Sequence, residues 1–179
     1  PPFSFVNNVS MRTLNNFYYF LNKRSNESTQ HYKKFFFPLD VIQNWNRAYG
    51  KEGFFQYQFV VPKKNGEKVI NQVLKVIKRH NQVPALGVLK NFGNIKSPGL
   101  LSFPMEGVTL ALDFPNKGLK TNNLFDELNK LILINNGRLY PAKDALMKKK
   151  DFHQGYEQIE KFKDFIDPKF SSSFWRRVN

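Results

Sequence analysis

The feature that most constrains this chain is a repeated switch of hydrophobic period between residues 54 and 140. Phe55, Tyr57, Phe59 and Val61 alternate with Gln56, Gln58 and Val60, the period of a strand with one buried face. Val69, Ile70, Val73, Leu74 and Ile77 then recur at helical spacing. Leu86, Val88, Lys90 and Phe92 share one face of a second strand. Val108, Leu110, Leu112 and Phe114 alternate with Thr109, Ala111 and Asp113 in a third. Leu124, Phe125, Leu128, Leu131 and Ile132 make another helix, closed by Gly137, and Arg138-Leu139-Tyr140 is short and extended. The order is strand, helix, strand, strand, helix, strand. It predicts an α+β fold of ferredoxin-like βαββαβ order, an antiparallel sheet with its helices packed on one face.

Additional helices flank this unit at both ends. Ser10 is placed as the cap of a helix through Arg12, Phe17 and Leu21, which breaks up in the loop Ser25-Asn26-Glu27-Ser28. Phe35-Phe36-Phe37-Pro38 reads as extended, because proline disfavours helix in the residue before it. Asp40 suits the N-cap of a helix carrying Val41, Ile42, Trp45 and Tyr49, with Gly50 ending it in a left-handed conformation. Towards the C-terminus, Phe152, Tyr156, Ile159, Phe162 and Ile166 predict one helix stopped by Asp167-Pro168. The tail from Ser171 to Asn179 has no clear period.

The 179 residues suffice for one domain with a sizeable core, and 41% apolar content with 19 Phe argues for a folded one. No run reaches the roughly 18 to 20 apolar residues that a membrane-spanning helix needs. The start at Pro1-Pro2-Phe3, without an initiator Met, reads as a cut from something longer. The absence of cysteine excludes disulfides, thiolate zinc sites and a cysteine nucleophile. His31, His80 and His153 lie far apart, outside any metal-ligand spacing, and read as structural or surface residues. Lys plus Arg total 28 against 14 acidic residues, a net charge of +14. That surplus favours an anionic partner: nucleic acid, an acidic membrane surface or a phosphorylated substrate. Part of it, such as Lys148-Lys149-Lys150, fits a solvated linker equally well.

Side chains two apart on a strand point the same way, so Gln56 and Gln58 present two amides together. Amides offer donors and an acceptor to the neutral hydroxyls of a sugar, although a wet sheet face carries glutamines too. Lys90 stands among apolar neighbours, either reaching to water or held in a pocket. Thr109 and Asp113 interrupt the third strand in the same manner. Polar groups on three strands of one sheet point to a common cleft. No G-x-S-x-G, Walker A loop, G-x-G-x-x-G loop or metal-ligand cluster makes the chain a self-sufficient catalyst.

Several segments together resemble one family. They are Pro38-Leu39-Asp40, Trp45-Asn46-Arg47-Ala48-Tyr49-Gly50 and Gly53-Phe54-Phe55-Gln56-Tyr57-Gln58-Phe59-Val60-Val61-Pro62. The likeness continues at Leu89-Lys90-Asn91-Phe92-Gly93, Leu101-Ser102-Phe103-Pro104, Leu112-Asp113-Phe114-Pro115, Gly137-Arg138-Leu139-Tyr140 and Ala142-Lys143-Asp144. They resemble, in order, the C-terminal part of FAD-linked oxidases of the vanillyl-alcohol oxidase superfamily. Within it they are most similar to the decaprenylphosphoryl-β-D-ribose 2'-oxidases, and more distantly to the aldonolactone oxidases. The resemblance covers most of the chain from about Phe35 onward.

The resemblance implies a substrate-binding cap over residues 1–140. It makes residues 141–179 a segment returning to an N-terminal FAD domain that this chain lacks, so FAD binding and activity are not expected of the chain alone. It implies that Gln56, Gln58, Val88, Lys90, Thr109 and Ala111 line the substrate pocket and that Tyr140 and Lys143 lie near flavin and substrate. Lys143 would carry the catalytic weight, stabilising negative charge on substrate oxygen or reduced flavin, or assisting proton removal. Thr109 and Ala111 stand where the branch commonly has Asn and Cys, which leaves the sugar open. The implied partners are a sugar or lipid-linked sugar phosphate, the FAD domain and a membrane surface touched peripherally. The implied location is cytoplasmic or peripherally membrane-bound, and a detached returning segment permits a domain-swapped dimer. A competing expectation is a basic ferredoxin-like RNA-binding module. The third strand argues against it, having no basic-glycine-aromatic pattern and an Asp113 that would repel phosphate, so nucleic acid is not the expected partner.

Overall fold

The computed structural model describes residues 4–23, 27, 29–37, 43–143 and 146–179. Its helices and strands are, in order, α1 (Asn8–Asn22), α2 (Tyr32–Phe36), β1 (Phe54–Pro62), α3 (Gly66–Arg79), β2 (Leu86–Phe92), β3 (Gly107–Pro115), α4 (Leu119–Ile134), β4 (Arg138–Leu139), α5 (Lys149–Gly155), α6 (Ile159–Lys163) and α7 (Ser173–Val178). The four strands form one sheet in the order β2-β3-β1-β4, every neighbouring pair antiparallel. This is the βαββαβ arrangement that the periodicity predicts.

Alternation along the strands decides which face is sealed. Tyr57, Phe59 and Val61 of β1 and Leu110, Leu112 and Phe114 of β3 meet Val69, Val73 and Ile77 of α3 and Leu124, Leu128 and Ile132 of α4 in the main core. Both helices therefore pack on one face, joined across their surfaces by an Arg79–Glu127 ion pair. The helix α4 closes at Gly137, as the sequence predicts. Asn136 takes the positive φ of 57°, while the Gly137 N–H closes the helix on the Ile132 carbonyl. Gly137 is required for another reason: a Cβ there would stand 2.6 Å from the Val60 carbonyl oxygen.

The C-terminal stretch corrects one expectation. The single helix predicted through Phe152 to Ile166 is two, α5 and α6. The chain leaves helix at Tyr156, which turns in so that its hydroxyl donates to the Leu139 carbonyl at 2.7 Å. The aperiodic tail forms α7, capped by Ser172, whose Oγ accepts from the Trp175 N–H. Met147, Phe152, Tyr156, Ile159 and Val178 join Leu139 in the main core, so side chains on both sides of residue 140 share it. A buried polar chain adds a tether: Tyr57 Oη donates to Asn129 Oδ1 at 2.9 Å, and Asn129 Nδ2 donates to Asp151 Oδ2 at 3.0 Å.

Two N-terminal expectations also change. The cap of α1 is Asn7, whose Oδ1 accepts from the N–H groups of Val9 and Ser10. Ser10 sits at the third helical position and completes a capping box by accepting from the Asn7 N–H. Phe35 and Phe36 are helical, in α2, because the steric reach of Pro38 extends back only to Phe37. Ser25, Asn26, Ser28, Asp40, Val41 and Ile42 lie outside the described residues. Beyond them a short 3-10 turn, Trp45–Tyr49, ends at Gly50 with φ 79°.

Candidate functional site

The sheet face away from α3 and α4 gathers the polar strand residues. Strand register sets Gln56 opposite Asp113, Gln58 opposite Ala111 and Val60 opposite Thr109. On the other side of β3, Val88 stands opposite Ala111 and Lys90 opposite Thr109. Gln56, Gln58, Val88, Lys90, Thr109 and Ala111 thus share one surface about three strands wide, as their alternation requires. Two hydrogen bonds cross between β1 and β3: Gln56 Nε2 donates to Asp113 Oδ1 and Gln58 Nε2 to Thr109 Oγ1, both at 3.1 Å. Lys90 is exposed.

Aromatic groups frame this surface at both ends. At one, Tyr49 stacks on Phe54 with ring centres 4.4 Å apart, and Trp45 packs beside them. At the other, Phe103 stacks on Tyr140 at 4.4 Å and meets Phe92 edge-on at 5.9 Å. Phe92 belongs to β2 and Tyr140 follows β4, so Phe103 spans the two central strands at that end. Thr109 and Val60 are accordingly 1% and 0% exposed on the face away from α3 and α4. The loop bearing Phe103 is held by Arg138, which donates to the Ser102 carbonyl at 3.2 Å.

Tyr140 and Lys143 reach the site through backbone bonds. The Tyr140 N–H donates to the Gln58 carbonyl at 2.8 Å, continuing the β1–β4 pairing one residue past β4. Pro141–Lys143 then form a 3-10 turn, with the Lys143 N–H on the Tyr140 carbonyl. Lys143 is half-buried, and its charge acts on Asp113. Asp113 is 3% exposed, and its Oδ2 has no donor among the described residues. Burial pushes the Asp113 pKa above the usual carboxylate value, against the opposing pull of the Gln56 amide and of Lys143. Burial, and then the Asp113 charge, push the Tyr49 phenol well above its ordinary value.

Among the described residues no cluster of three or more His, Asp or Glu could hold a metal ion. The histidines serve structure: His31 caps α2, His80 meets Glu127 at 2.7 Å and His153 meets the Val178 carbonyl at 3.0 Å. A separate apolar hollow of about 490 Å³ is bounded by Leu101, Pro141, Phe152, Phe162, Phe174 and Trp175.

No family model matches the chain. Over 99% of its length it is 34% identical to the decaprenylphosphoryl-β-D-ribose oxidase of Mycolicibacterium smegmatis. The chain is thus similar throughout its length to part of that oxidase. It spans 39% of the length of that curated relative. An uncharacterized protein of Streptomyces coelicolor is 29% identical over 63% of the chain, and the chain spans about a third (32%) of it. In this chain, the strand residues picked out by alternation form one connected polar face. Of the groups that frame it, sequence reasoning picked out Tyr140 but not Phe103, Tyr49 or Phe54. Phe103 lies in an irregular segment with no period to read, and the helical spacing of Trp45 and Tyr49 does not say which strand residue they pack on. Asp113 is visible as a break in the third strand, but its burial follows from the segments laid over the sheet.

Proposed function

We propose that this chain is the substrate-binding part of an FAD-dependent oxidoreductase that oxidises a sugar hydroxyl by hydride transfer to flavin. The sugar of a polyprenyl phosphate is the substrate class we favour. One observation carries the reading: neutral amides and a hydroxyl line a sheet face beside a half-buried lysine, in a chain similar throughout to a ribosyl-lipid oxidase. Amides and hydroxyls recognise uncharged sugar hydroxyls without demanding a charge in return.

On this reading residues 1–140 are the cap and residues 141–179 return to an N-terminal flavin domain. FAD, held mainly by that domain, would supply the hydride acceptor. The residues we set against it are Tyr140 and Lys143, an aromatic ring and an ammonium beside a buried carboxylate, a donor set suited to a partner that gains negative charge. Lys143 holds the developing charge on the substrate oxygen, or helps remove its proton, while Gln56, Gln58 and Lys90 orient the sugar. Val88, Ala111 and Thr109 form the floor.

The net charge of +14 and the exposed Phe17, Tyr18 and Phe20 of α1 support peripheral contact with an anionic lipid surface. Among the described residues no helix is long and apolar enough to cross a membrane. The deciding experiment compares flavin absorbance of the full-length protein with that of this chain. A yellow full-length protein bleached by decaprenylphosphoryl-β-D-ribose, beside a colourless chain, is the expected result. A colourless full-length protein would end the oxidoreductase reading.

A further inference from the structure

Gln56 and Gln58 both turn an amide N–H towards β3, but onto partners of different chemistry. A hydroxyl donates or accepts, so Thr109 accommodates either end of the Gln58 amide. An ionised carboxylate only accepts, so Asp113 accommodates only the nitrogen end of Gln56. The Gln56 carbonyl oxygen is then the end left for a ligand.

We propose that Asp113 is a positioning residue that sets specificity: its buried carboxylate holds Gln56 as an obligate acceptor, so the ligand must donate a hydroxyl proton there, whereas Gln58 adapts to either polarity. The ligand side of this inference rests on the sugar-binding reading above; the Asp113–Gln56 linkage does not. Asp113 is costly where it stands. It is almost wholly buried and one oxygen lacks a donor among the described residues, an arrangement that an apolar or amide side chain would relieve. The groups acting on it are Gln56, Lys143 and Tyr49, with Lys90 and Arg138 the other cations of this face.

Two experiments test this separately. The first follows the side-chain amide nitrogens of this chain by NMR as pH is lowered. The Gln56 amide should shift in step with the Asp113 carboxyl, above the ordinary aspartate range, while the Gln58 amide stays still. Asp113→Asn should abolish the Gln56 step. A Gln56 resonance that stays flat through the Asp113 titration overturns the proposal in the unaltered chain, even if the variant fails to fold.

The second uses the full-length flavoprotein with decaprenylphosphoryl-β-D-ribose and analogues carrying fluorine in place of one hydroxyl at a time. Fluorine cannot donate, so one analogue should bind about tenfold more weakly, the scale of one hydrogen bond. Asp113→Asn frees the Gln56 amide to rotate, and the discrimination should shrink to about threefold or less, on the same scale. Undiminished discrimination in the variant would overturn the proposal. Failure of every ribosyl lipid to bleach the flavin would instead sink the functional reading, with the NMR result still deciding the role of Asp113.

Discussion

The two faces of the sheet are built from the same strands and do opposite things. Towards α3 and α4, Tyr57, Phe59, Leu110, Leu112 and Phe114 are sealed in a continuous apolar core. On the other face, Gln56, Gln58, Lys90 and Ala111 remain at least partly exposed between two aromatic clusters. The first face is filled by two helices that the chain supplies locally, each following directly on a strand. The second is only edged, by segments from residues 45–54 and 101–103. Stability and recognition are thereby assigned to alternate residues of one strand, which lets substitutions separate them.

The largest effect should come from the sealed face. Phe59→Ala empties a fully buried site and should cost about 3–5 kcal/mol in urea unfolding. Loss of less than about 1 kcal/mol, too little for a filled core site, would mean that this face is not the core. Next comes Lys143→Ala in the full-length protein. It should slow flavin reduction by about 100-fold or more, the scale of a lost acid–base or charge-stabilising group, with an unchanged urea midpoint. A near-normal reduction rate would remove Lys143 from the chemistry.

Tyr57→Phe probes a polar contact buried on the sealed face. It deprives Asn129 Oδ1 of its donor and should cost about 1–3 kcal/mol. A silent substitution would show that the Tyr57–Asn129–Asp151 chain does not tether the C-terminal segment. The smallest effect is the reverse case, a charge buried on the ligand face. The folded-state pKa of Asp113 is raised, so ionising it costs stability at neutral pH, and that cost disappears below the unfolded-state pKa. Asp113→Asn should therefore raise Tm modestly at pH 7, with the gain vanishing towards about pH 4, near the unfolded aspartate value. A variant less stable at pH 7 would show that the charge helps the fold.

Much of this comparison was legible in the amino-acid order alone. Period-two runs in β1 and β3 and period-3.6 runs in α3 and α4 determined the element order. Alternation then grouped Gln56, Gln58, Val88, Lys90, Thr109 and Ala111 on one face, because residues two apart on a strand must project the same way. Helix ends were less legible. Asn7 rather than Ser10 caps α1, and α5 breaks from α6 at Tyr156, because caps and breaks depend on single hydrogen bonds that leave no period.

Only the tertiary structure decided what closes over the polar face. Phe103 reaches both Phe92 and Tyr140 from a loop, and Arg138 holds that loop across 36 residues of sequence through the Ser102 carbonyl. Asp113, towards the other end of the sheet, is a buried charge rather than a wet strand residue, and the groups that act on it from outside the sheet are Tyr49 and Lys143, likewise distant in sequence. Periodicity records which way a side chain points. Whether water reaches it depends on chain brought there from elsewhere, and burial turns a polar residue into one that constrains its neighbours.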